Sequence, residues 1–189
     1  MKQLHIVGVG GSMNPNSQNL RALRYVMQSI SQADIKTTLI NVRDLDLPMY
    51  DDARDLASYP AHIQDYIVTI QNADGIIWST SAYHGTIAGI SKNAIDYLQY
   101  LDGGDYLDGK AIGVLATAGG TTAATNAANA LVHSAHSLRG TVVPLILPIP
   151  QAWDIIEDDG SINDGKWAER MQKLGMMTVA LAKQLQKLS

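Results

Sequence analysis

The chain has 189 residues, enough for one domain with a sizeable buried core. Of these, 46% are apolar and 17% charged, a globular balance that excludes a disordered chain. The net charge of −4 argues against a nucleic-acid binder; no segment approaches the ~20 apolar residues of a membrane span, and without cysteine there is no disulfide, thiolate metal site or cysteine nucleophile.

The opening "MKQLHIVGVGGSM" superficially suggests a signal peptide. Its apolar run is too short and ends in a glycine turn without a small-residue cleavage site. Residues 4–10 therefore read as a first buried strand, and the protein as cytoplasmic. Residues 17–31 predict a helix with Leu20, Leu23, Met27 and Ile30 on one face. Residues 36–42 form a second strand, and 44–56 are irregular. A helix follows over 61–72, with Ile63, Ile67 and Ile70 inward, then a third strand over 75–81. A helix over 90–100, a fourth strand over 110–118, a helix over 122–138 and a fifth strand over 141–149 continue the alternation. The last helix covers 166–188, with Trp167, Met171, Leu174, Leu181 and Leu185 inward.

Five apolar strands separated by helices imply an α/β fold whose parallel sheet is covered on both faces. Right-handed crossovers leave few topologies. The most economical is a flavodoxin-like three-layer sandwich, a single domain over 1–189, with strand order 2-1-3-4-5. Its switch point lies between strands one and three, so ligands are expected beyond the carboxyl ends of the strands.

Three loops occupy that rim. "GVGGSMNPNSQNL" turns on glycines into a helix N-terminus, and Ser12, Asn14, Ser17 and Asn19 add hydroxyls and amides. Such a turn suits a phosphate. It is neither a Walker loop nor G-x-G-x-x-G, because Met13 stands at the last position. The same residues also fit a plain glycine turn with Ser17 as a helix cap. After strand three, Tyr83-His84-Gly85-Thr86 suits a flat ligand, or a surface turn with Tyr83 over the sheet edge. After strand four, "TAGGTTAATN" frees backbone N–H groups at Gly119 and Gly120, and Thr121 or Thr122 can cap the next helix. Lys92 reads as a surface charge, Asn93 and Asp96 as caps or braces of neighbouring loops, and Arg21 as solvated. No nucleophile elbow and no metal spacing is present; His133 and His136 lie three apart without carboxylates at matching positions.

Together these segments resemble the NADPH-dependent FMN reductase family, which includes quinone and azo-dye reductases. "GSMNPNSQN" is similar to its G-S-x-R-x-x-S-x-N signature, and "AYHGTIAGISKNAIDYL" to its Y-H/N-G-S-I-P-G segment. "TAGGTTAA" resembles its glycine-rich ring loop, and "DLPMYDD" its loop after strand two. The resemblance implies bound FMN, with NADPH or NADH as hydride donor. Carried over by position, Ser12, Ser17 and Asn19 hold the phosphate, with Asn14 and Leu20 in the same loop. Tyr83, His84, Gly85, Thr86 and Ile87 line the ring and ribityl chain, and Thr117, Gly119 and Gly120 meet the pyrimidine edge. Three positions depart from the pattern: Asn14 replaces an arginine, and Ala82 and Ala88 replace an acidic residue and a proline. Without that guanidinium, neutral hydroxyls and N–H groups must hold the anion.

The resemblance further implies ping-pong transfer to a small-molecule acceptor (quinone-like, azo or flavin), no catalytic side chain and no metal, and a homodimer or homotetramer. Residues 44–59 and the last helix are the candidate contact surfaces, although the inner face of that helix fits its own sheet. Two alternatives stay open: a flavodoxin-type electron carrier, and a reductase that supplies reduced FMN to a partner monooxygenase. Carriers are strongly acidic, whereas this chain is only mildly so.

Overall fold

Strands β1 (Leu4–Gly10), β3 (Gly75–Tyr83) and β5 (Ala111–Ala118) are apolar along most of their length because both of their faces are covered. The edge strands are β2 (Ile35–Asn41) and β6 (Thr141–Pro150). The sheet runs β2-β1-β3-β5-β6, every neighbouring pair parallel. A two-residue strand, β4 (Thr86–Ile87), folds back antiparallel on the end of β3. With β4 set aside, this is the expected 2-1-3-4-5 order. Pro144, Pro148 and Pro150 all lie in β6, where an edge position tolerates the missing N–H. The computed structural model describes residues 3–188, apart from the side chain of Asp102.

Helices α1 (Gln18–Ser29) and α5 (Gly165–Leu185) cover one face. Helices α2 (Ala61–Gln71), α3 (Gly89–Asp96) and α4 (Thr121–Ser137) cover the other. Each face has its own apolar core. Leu23, Val26, Met171 and Leu174 fill the first, and Ile63, Ile70, Leu98 and Leu131 the second. Each such side chain contributes about 1.5–3 kcal/mol on burial. Final-helix packing on its own sheet is thus observed, although its buried stripe is Met171, Leu174, Gly175, Thr178 and Ala182, with Leu181 and Leu185 at the margin. In α1 the buried stripe likewise shifts to Asn19, Ala22, Leu23, Val26 and Met27, leaving Leu20 half-buried.

Residues 44–56 are largely irregular, as expected, yet they are pinned to α3. Asn93 Nδ2 donates to Pro48 O (2.8 Å), and Tyr50 N donates to Asn93 Oδ1 (2.9 Å). Tyr50, Tyr59, Tyr97 and Tyr100 pack edge-on or tilted with ring centroids 5.3–6.0 Å apart, and the Arg54 guanidinium lies 4.0 Å over the Tyr59 ring. Such aromatic pairs add ~0.5–1.5 kcal/mol beyond area burial. Burial, with the Tyr59 hydroxyl next in importance, pushes the phenols of Tyr97 and Tyr100 above their ordinary value. In a chain without phenylalanine this cluster supplies aromatic packing, and it orders a segment that lacks regular secondary structure.

Candidate functional site

The registers bring three strand ends together at one rim. Val9 pairs with Trp78, so Gly10 lies beside Ser79; Ser81 pairs with Thr117, and Ala118 with Pro150. Strand β3 projects past β1 and folds back on itself as β4.

The first loop is built on close approach. A Cβ on Gly10 would overlap Ser79 Oγ, so only glycine lets β1 end against β3 here. Asn19, fully buried in the first turn of α1, accepts from Gly11 N (2.7 Å) and from Ser79 Oγ (2.8 Å). Its Nδ2 is buried without a hydrogen-bond partner among the described residues. Ser17 caps α1, its Oγ accepting from Leu20 N (3.3 Å), and Ser12 Oγ accepts from Asn14 N (3.2 Å). With a lone pair of each hydroxyl taken by a backbone N–H, both O–H groups remain as donors. Among the described residues, no protein acceptor meets the N–H of Gln18 or Asn19. The positive end of α1, two hydroxyls and an orphaned amide thus converge without a basic side chain. These features fit an anionic phosphate.

Asn14 does not join that set as a free donor. It is exposed, and its Oδ1 accepts from Asn16 N (2.9 Å), closing its own turn. Arg21 is not solvated as the sequence suggested: its Nη1 lies 2.9 Å from Asp158 Oδ1, with its side chain 15% exposed. The guanidinium is therefore directed at the segment after β6, not offered to the loop in place of the missing arginine.

The second loop is a tight hairpin. Ala82 pairs with Ile87 and Tyr83 with Thr86, and His84 (φ 50°) and Gly85 (φ 86°) make the turn. Positive φ at both central positions matches the twist of the flanking strands. A Cβ on Gly85 would meet nothing within 4 Å, so the turn faces open space. Buried Thr80 anchors the return: its Oγ1 accepts from Ala88 N (3.1 Å) and shares a hydrogen bond with Ser91 Oγ (3.0 Å). Tyr83 is 51% exposed at the rim.

In the third loop, Thr117 is buried, while Gly119 and Gly120 are exposed. Helix α4 is capped by extended Gly120, with no side-chain hydrogen bond, and not by Thr121 or Thr122. Sequence reading missed what stands beside this loop. A Cβ on Gly119 would lie 3.2 Å from Cη2 of Trp153, whose side chain follows β6 on a turn made by left-handed Gln151 (φ 46°). It also missed Ser79, Thr80 and Ser91. The polar end of the otherwise apolar "GIIWSTS" was the available signal for the first two; Trp153 had none, since its neighbour is 34 positions earlier.

The structure thus brings Ser12, Ser17, Asn19 and Leu20 around the α1 N-terminus, Tyr83, His84, Gly85, Thr86 and Ile87 into one hairpin, and Thr117, Gly119 and Gly120 onto the adjoining strand end. His133 and His136 are exposed on α4, remote in sequence from the rim.

Comparison with known proteins identifies the family and the fold. A family model described as NADPH-dependent FMN reductase matches residues 4–154. The chain is 27% identical over 175 residues to an FMN-dependent NADPH-azoreductase of Staphylococcus aureus (strain USA300), covering 90% of this chain and 89% of that protein. Among solved structures, the flavoenzyme NAD(P)H:(acceptor) oxidoreductase FerB of Paracoccus denitrificans superposes with a TM-score of 0.72 at 24% identity, over 97% of this chain and 98% of the other. The apo form of the NADH:FMN oxidoreductase EMOB gives 0.68 at 24% identity, over 92% and 89%. At those identities the two structures speak for the fold alone.

Proposed function

The chain belongs to the NADPH-dependent FMN reductase family, and we propose that it passes hydride from NADPH or NADH to a quinone-like, azo or flavin acceptor by ping-pong turnover at the β1–β3–β5 rim. Membership makes it an oxidoreductase with FMN as cofactor, NAD(P)H as hydride donor and a small molecule as acceptor.

When bound, FMN supplies the hydride chemistry, and the chain supplies position and electrostatics. Ser12 and Ser17 donate their hydroxyls to the phosphate, and the N–H groups of Gln18 and Asn19 at the positive end of α1 complete a neutral cradle. The observation that carries this placement is the Asn19 amide, buried with one donor unmet and its oxygen fixed by Gly11 and Ser79. A buried unpaired N–H costs about 1–3 kcal/mol, which a phosphate oxygen would offset. Asn14 and Leu20 shape the same loop. The hairpin of Tyr83, His84, Gly85, Thr86 and Ile87 walls the ring and ribityl chain. Thr117, Gly119 and Gly120 border the pyrimidine edge, and the backbone N–H groups of Gly119 and Gly120, beyond the sheet ladder, face the negative charge that develops there on reduction. Nicotinamide and acceptor then use one face in turn, and no side-chain acid or base is needed. Pairing of two chains through residues 44–59 and the outer face of α5 belongs to the same reading; Met49, 81% exposed, lies in that surface.

The purified protein is expected to be yellow, and to bleach when NADPH or NADH is added anaerobically. A chromophore that neither nucleotide reduces would mark an electron carrier instead. Loss of flavin from the reduced protein on gel filtration would mark a supplier of reduced FMN. A colourless protein that takes up no FMN would sink the reading.

A further inference from the structure

We propose that Trp153 is a specificity-determining residue for the electron acceptor, an aromatic wall that favours planar, multi-ring quinones over small acceptors. This rests on the reading above, in which the ring site lies at the β3–β5 rim.

Trp153 sits in a short turn (Ala152–Asp154) immediately after β6. Its neighbours Ala152, Ile155 and Ile156 are packed into the core beneath α1 and α5. The hairpin carries Ala82 and Ile87 into the opposite core, beneath α2, α3 and α4. Trp153 and the hairpin therefore stand on opposite sides of the rim, with the Gly119–Gly120 loop of β5 between them. Strands β3 and β6 are separated by one intervening strand, so the hairpin and Trp153 rise from strands roughly 10 Å apart. That spacing is on the scale of a planar two-ring system.

The indole is not a solvated ornament. Its six-membered edge occupies the space that a side chain at residue 119 would need, with Cη2 3.2 Å and Cζ3 3.6 Å from that Cβ position. Yet 60% of Trp153 remains exposed. A residue held at one edge and open on the rest is a preformed stacking surface. Its segment is held at the other end too: Arg21 pairs with Asp158 (2.9 Å), Asn163 Nδ2 donates to Asp154 O (2.9 Å) and Ile156 bridges to Ile162. These contacts hold the backbone that carries the indole, which lowers the ordering cost when a ring stacks there. Offset aromatic stacking adds to the gain from buried apolar area. A hydrated inorganic ion has no face to present to the indole. The overall change is two-electron reduction: quinone, NAD(P)H and one proton give hydroquinone and NAD(P)⁺.

The test compares wild type, Trp153→Ala and Trp153→Phe as FMN-loaded proteins. Binding of anthraquinone-2-sulfonate to the oxidised proteins is measured by fluorescence titration without reductant. Its reduction and that of ferricyanide are then followed with saturating nicotinamide. The Ala variant is expected to bind the quinone about tenfold more weakly and to raise its KM in parallel, a factor equal to about 1.4 kcal/mol. The Phe variant should recover most of that loss, while FMN content and ferricyanide turnover stay within about twofold. A quinone affinity unchanged in the Ala variant, or no quinone binding by wild type, would overturn the proposal. So would an equal fall in ferricyanide turnover or FMN content, because the indole would then merely hold the glycine loop. Failure of wild type to take up FMN or to be reduced would strike the functional reading itself.

Discussion

Asn19 Oδ1 lies 2.8 Å from Ser79 Oγ, so one buried amide on α1 joins the end of β3 to the turn after β1, whose Gly11 N–H it also accepts at 2.7 Å. Three elements that meet only in the folded chain are locked by a single oxygen. The nitrogen of the same amide is left without a partner.

Replacing Asn19 separates these two roles. Asn19→Asp keeps an oxygen for Gly11 and Ser79 but turns the unmet donor into an acceptor facing the proposed phosphate. FMN affinity, read by flavin fluorescence, is expected to fall at least tenfold, about 1.4 kcal/mol. Asn19→Ala removes both roles and leaves buried donors unsatisfied, at a cost of about 1–3 kcal/mol in urea unfolding. An Asp variant with wild-type FMN affinity would show that the amide nitrogen does not face the phosphate.

Gly10→Ala tests the close approach of β1 to β3. The new Cβ would also lie 2.9 Å from Ser79 O, which belongs to strand backbone and cannot rotate away. Overpacking of this kind costs about 1–3 kcal/mol. The expected readout is a lower urea midpoint with an unchanged slope, together with weaker FMN binding. Unchanged stability would mean that the strand ends yield more easily than their contacts imply.

Gly85→Val acts by conformation instead of space, since nothing lies within 4 Å of the added Cβ but φ is 86°. A β-branched residue held there is strained by about 1–3 kcal/mol, confined to the turn. The far-UV circular dichroism should be preserved and the flavin content of the purified protein reduced. Full flavin occupancy would remove the hairpin from the proposed ring contact.

The tyrosine cluster predicts an alkaline limit. Burial raises the phenols of Tyr97 and Tyr100 above their ordinary value of 10.0. The unfolded chain then releases its protons first as pH rises. The stability these groups contribute is fully present below about pH 10 and is lost above it, as pH climbs through the raised values. The part of the 295 nm tyrosinate absorbance that belongs to Tyr97, read as the difference between wild type and Tyr97→Phe, should appear together with unfolding, and Tyr97→Phe should flatten the fall in stability above pH 10. Ionisation of all tyrosines with the fold intact would contradict this.

Much of the molecule was legible in its residues. The strand order and the three rim loops follow from alternating apolar runs and their glycine turns, because each element's burial pattern is a local property of sequence. Ser17 was identifiable as a cap from its place before an amphipathic helix, and Asn93 was identifiable as a brace, though not its partners Pro48 and Tyr50. Arg21 read as solvated because its partner, Asp158, lies 137 positions away in an exposed loop. The buried face of α1 was misjudged around Leu20 because a polar residue, Asn19, takes the innermost position there.

By itself the sequence determined the layering and the chemistry of the rim, since periodicity, turn residues and hydroxyl-rich loops are set by neighbours along the chain. Only the tertiary structure decided that Gly10 must abut Ser79, that the Asn19 nitrogen stays unmet, and that Trp153 rests against Gly119. Those relationships arise from strand registers and crossover packing, which place distant residues within van der Waals reach by a geometry that no local pattern encodes.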